Sequence, residues 1–129
     1  MSLDEALPET FRRIRLELAR EPGRPSGDPG IGYTLVAPLD VQGRLDAEEV
    51  RRHREACKVV RFHRGEESDV GYLKRRPGGS WAFHYDFTDG DDDDPGYRLG
   101  EHRFVVGEYV TIAEDEGMHT YRIASVEPL

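Results

Sequence analysis

Between Ser80 and Phe87 the chain alternates strictly. Trp81, Phe83, Tyr85 and Phe87 fall on one side, and Ser80, Ala82, His84 and Asp86 on the other. A period of two puts all the rings on one face of a pleated strand and small or polar groups on the opposite face. Such a strand is stable when its aromatic face meets a core and its polar face meets water, the arrangement of an antiparallel sheet. Few folds other than a β-rich one can use this segment.

The neighbouring segments agree. Lys58–Phe62 and Val70–Arg75 read as strands, and Arg76-Pro77-Gly78-Gly79 supplies the residues a tight turn needs before Ser80. Gly32–Leu39 is an apolar run suited to a buried strand that Pro38 ends. Phe104–Ile112 and Met118–Val126 read as a hairpin around Ala113–Gly117. This order is similar to hairpins of SH3-like and other small barrels.

Two helices are expected beside the strands. The spacing of Phe11, Ile14 and Leu18 predicts an N-terminal helix over residues 8–20, with Pro8 at its first position and Pro22 beyond its end. A Pro/Gly-rich connector, residues 21–32, follows. The second helix is expected at about residues 46–56. Asp46 and Glu49 make a capping box there, and Leu45 and Val50 a hydrophobic staple. The expected fold is therefore α+β: a small antiparallel β-barrel or strongly bent sheet of five to six strands. It carries an N-terminal helix and one helix inserted after the first strand, all in a single domain over residues 1–129.

Composition narrows the function classes. The chain has 129 residues and a net charge of −8, with +1 on residues 1–65 and −9 on residues 66–129. An acidic surface repels phosphate backbones, so nucleic acid is disfavoured as a partner. No stretch of about 18 apolar residues exists to span a membrane. Met1–Glu5 lacks the basic and apolar regions of a signal peptide, so a cytoplasmic location is expected. Cys57 is the only cysteine, which leaves no intrachain disulfide and no cysteine-based zinc site.

Asp89-Gly-Asp-Asp-Asp-Asp-Pro-Gly96 is the most charged segment. Asp89, Asp91 and Asp93 match the first ligand positions of an EF-hand loop, but Asp94 stands where that loop needs glycine and Gly100 where it needs glutamate. Adjacent carboxylates repel one another, and a calcium or magnesium ion would relieve that. His84, Asp86, Asp91, Asp92, Asp93 and Asp94 are the candidate metal ligands, set against the simpler reading of a solvated acidic loop. His53 and Cys57 at i, i+4 would share a helix face, and a packed core cysteine beside a satisfied histidine is the expected reading, ahead of a metal site or a nucleophilic pair. His63, His102 and His119 show no ligand spacing. The arginines at 12–15 and 51–54 read as solvated faces paired with Glu17, Glu48 and Glu55. Ser26, Ser68, Ser80 and Ser125 lack a nucleophile-elbow context.

No catalytic signature emerges. The expected function is that of a non-catalytic binding or regulatory module acting through protein–protein contact, with self-association through the N-terminal helix as one route. The alternative is a protein that binds a divalent metal or small ligand through residues 89–94 and His84.

Overall fold

Residues Phe11–Leu18 form a β-strand, β1, not the helix expected over 8–20. This is seen in a computed structural model that describes residues 8–20, 23, 25–64, 66–75, 81–84, 94–97, 103–114 and 117–129. Leu16 is the residue that decides. On a helix it would lie about 200° around the axis from Ile14, on the solvent side. On a strand, Ile14, Leu16 and Leu18 share one face, and all three are buried while Arg13, Arg15 and Glu17 alternate with them. The strand is hydrogen-bonded on both sides, to β2 (Asp28–Pro38) and to β8 (Gly117–Pro128). A segment in this position is the middle of a sheet and cannot serve as a loosely attached helix, so the expected route to self-association is withdrawn.

The connector expected over 21–32 is also shorter than its composition suggests, because β2 begins at Asp28. The ladder explains how a strand absorbs Pro29. Glu17 pairs with Gly32 and Leu18 with Asp28, so β1 skips residues 29–31 and requires no N–H from the proline. Asp28 Oδ1 accepts the Gly30 N–H at 2.9 Å and braces the bulge. Gly32 is needed for closeness: a Cβ there would stand 1.8 Å from the Leu16 carbonyl oxygen.

Among the described residues the one α-helix, α1, spans Ala47–Arg52. Asp46 caps it by accepting the Glu49 N–H at 3.2 Å. Leu45 and Val50 are both buried in the same apolar cluster, as a staple requires. The helix is shorter than the expected 46–56: it stops at His53, whose φ/ψ of −128°/46° is not helical, and a 3-10 turn covers Arg54–Ala56.

The remaining strands are β3 (Lys58–His63), β4 (Glu66–Arg75), β5 (Trp81–His84), β6 (Asp94–Tyr97) and β7 (Tyr109–Glu114). All pairings are antiparallel, in the order β6-β5-β4-β3-β2-β1-β8-β7. The fold is thus an all-β-like sheet with one short helix, which corrects the α+β expectation. It also corrects the barrel. The sheet curls until Cα atoms of β6 and β7 come within 8 Å, but among the described residues no ladder joins these two strands. The core lies on the concave face, where Tyr33 and Tyr121 meet edge to face at 5.2 Å.

Candidate interaction surface

Three of the exposed apolar residues, Val41, Val105 and Val106, lie on two distant loops that are tied together. The first, residues 40–44, follows the end of β2 and is closed by the Leu39–Leu45 bridge. Asp40 Oδ1 accepts the N–H groups of Gln42 and Arg44 at 2.8 and 3.0 Å, and Gly43 takes φ +83° to complete the turn. The second, residues 103–108, leads into β7. Its Phe104 side chain is buried, and its backbone N–H donates to the Gly43 carbonyl at 2.7 Å. Arg103 Nε donates to the Gln42 carbonyl at 3.3 Å, and the Gly107 N–H donates to the Ile123 carbonyl of β8 at 2.9 Å.

These bonds hold three valines in the open. Val41 is fully exposed, Val105 is 43% exposed and Val106 56%. Val105 and Val106 would be strand residues if strand structure began at Phe104; the strand instead begins at Tyr109. Tyr109 is itself 56% exposed and stands three residues beyond Val106, so at most about 10 Å away along the chain. Sequence reasoning missed this surface because its halves are more than sixty residues apart, and nothing local marks them as neighbours.

The predicted ligand residues are placed only in part. His84 ends β5 opposite Tyr72, and Asp94 opens β6 opposite Phe83, so the strand ladder brings the two ends of the acidic segment together. Asp86, Asp91, Asp92 and Asp93 lie outside the described residues. Among the described residues, no group of three or more His, Cys, Asp or Glu side chains is close enough to hold a metal ion.

His53 and Cys57 do not share a helix face. His53 ends α1, with Nε2 3.5 Å from Glu49 Oε1 and its ring edge-on to Phe11 at 5.5 Å. Cys57 lies beyond the 3-10 turn and is fully buried, and burial pushes its thiol up to about 12. This is the opposite of the lowered value a nucleophile needs. Of the expected arginine pairs, Arg15–Glu17 forms at 2.8 Å, and Arg52 reaches Glu48 and Glu49 at 3.4 Å.

No described helix is long and apolar enough to cross a membrane. Comparison with known protein families, with characterised proteins and with solved structures finds no match.

Proposed function

We propose that this protein is a non-catalytic binding module that acts through contact with another protein, using the surface built by Val41, Val105 and Val106. The supporting observation is that four hydrogen bonds within and between the two loops, and a fifth from Gly107 to β8, fix the loops that carry these exposed valines. A preorganised apolar patch binds with less ordering cost than a floppy one, and contiguous exposed apolar groups mark contact sites. A photo-crosslinking residue at position 105 should yield a discrete protein adduct in the native cells, and one at Arg13, on the outer face of β1, should not. Val41→Lys with Val106→Lys should remove the adduct and leave the thermal midpoint unchanged. No adduct above the Arg13 control would end this reading.

A second reading has one observation in its favour. The β5–β6 ladder sets His84 and Asp94 on neighbouring strands, with the acidic segment joining them. A calcium or magnesium ion held by His84, Asp86 and Asp91–Asp94 would use that junction.

A further inference from the structure

A groove of about 790 Å³ opens on the outer face of the sheet, across the ends of β1, β8 and β7, under the segment that leads into β2. Glu17, Arg122 and Tyr109 form one cross-strand row in its floor and wall, since Glu17 pairs with Arg122 and Arg122 with Tyr109. Neighbours in such a row are about 4.8 Å apart. Pro29 closes the other side and Arg20 stands at the end of β1.

The groove has two acids and two bases, but their charges are not equally available. Glu17 Oε2 is taken by Arg15 Nε at 2.8 Å, and Asp28 turns its carboxylate back onto the Gly30 N–H at 2.9 Å. Among the described residues Arg20 and Arg122 have neither an ion pair nor a hydrogen-bonding side-chain partner. With Arg15 counted beside its partner Glu17, the groove and its rim hold three arginines against two carboxylates, a local excess of positive charge on a chain whose net charge is −8. Arg122 pairs with a residue three positions before Arg20, so the two are staggered by roughly 10 Å along the strand direction. Side chains on one face of an extended peptide recur about every 7 Å, so carboxylates two residues apart fall within reach of both flexible guanidinium groups. Arginine forks bind carboxylates in two-point contact, and an exposed tyrosine beside them offers a rigid flat wall.

We infer that this groove receives an extended acidic segment of a protein, with carboxylates two residues apart on Arg20 and Arg122 and a side chain against Tyr109. Lone phosphate would leave most of the volume of about 790 Å³ empty. The inference does not depend on the valine surface, and its test reads a different set of residues.

The test is a titration of the isotope-labelled protein with hexaglutamate, with hexaglutamine as the uncharged control, followed by NMR. Hexaglutamate should move the amide signals of Tyr109 and Arg122 and the side-chain Nε signal of Arg20, and hexaglutamine should move none. Arg20→Gln with Arg122→Gln should weaken the binding at least fivefold, and added salt should weaken it in the wild type. The exposed Arg51 in α1 and Arg54 just beyond it are an internal control: shifts centred there would overturn the assignment. So would the absence of any shift, or unchanged binding by the double variant.

Discussion

The guanidinium of Arg15 lies over the ring of Phe62, 4.2 Å from its centroid. Phe62 pairs with Gly32 on the neighbouring strand, and its Cζ would stand 2.9 Å from a Cβ at that position. The ring therefore covers the bare glycine backbone and is itself covered by Arg15, which Glu17 and the Pro29 carbonyl hold from the other side. An aromatic ring is thereby sealed on the outer face, away from the main core.

Removing either half of this stack should cost stability unequally. Phe62→Ala removes a nearly buried ring and should cost roughly 3 kcal/mol. Arg15→Ala should cost about 1 kcal/mol, since the cation–ring contact is half exposed and its ion pair is a weak surface one. The double variant should cost less than the sum, because each residue's contribution passes through the other. Urea unfolding of the four proteins measures this, and strict additivity would mean the contact contributes nothing.

Gly32 permits an approach that no other residue allows. Because a Cβ would meet the Leu16 backbone oxygen at 1.8 Å, Gly32→Ala cannot be relieved by rotating a side chain. The variant should lose about 3 kcal/mol or fail to fold, which is the upper end of the cost of overpacking. Gly23→Ala, with nothing within 4 Å of the added Cβ but a φ of +88°, should cost far less. Comparing their thermal midpoints separates steric closeness from backbone strain.

These positions show what could be read from the sequence. The strands at 58–63 and 81–84, the end of β2 at Pro38 and the Asp46 cap follow from local pattern, and each lies where period, turn residues or capping chemistry put it. β1 departs from the expected helix because Phe11, Ile14 and Leu18 satisfy a helical spacing while Ile14, Leu16 and Leu18 satisfy a strand, and the place between β2 and β8 that buries Leu16 favours the strand. The β1–β8 pairing joins residues more than a hundred positions apart, and no local signal carries that information. The same holds for the Gly43–Phe104 bond that builds the valine surface.

Burial of Cys57 makes a pH prediction with a definite sign. Its thiol is raised in the folded protein from 9.0 to about 12, so folding favours the neutral form. Below about pH 9 both states keep the proton and the contribution is fully present. Between about pH 9 and 12 the unfolded chain gives up the proton and the folded one keeps it, so stability falls as pH rises. At about pH 10.5 the loss should be roughly 2 kcal/mol, at ~1.36 kcal/mol per pH unit. Urea midpoints at about pH 8 and 10.5, compared between wild type and Cys57→Ala, isolate this from other titrating groups. Equal falls in both proteins would show that Cys57 is not the cause. Thiol reagents at about pH 8 should label Cys57 only as fast as the protein opens.

The metal reading makes the sharpest prediction about the acidic segment. Four consecutive aspartates, Asp91–Asp94, raise one another's electrostatic energy, and an ion that binds the folded chain draws stability from relieving this. Calcium or magnesium at ~100 times its dissociation constant should then add ~2.7 kcal/mol and raise the thermal midpoint by several degrees. Replacing Asp91 through Asp94 by asparagine should abolish that rise, and His84→Ala should reduce it. A melting curve that is the same in EDTA, calcium and magnesium would remove the ion from consideration. The acidic segment would then act as solvated charge on the half of the chain that already carries −9, and the contact surface at Val41, Val105 and Val106 would keep its place without a metal site beside it.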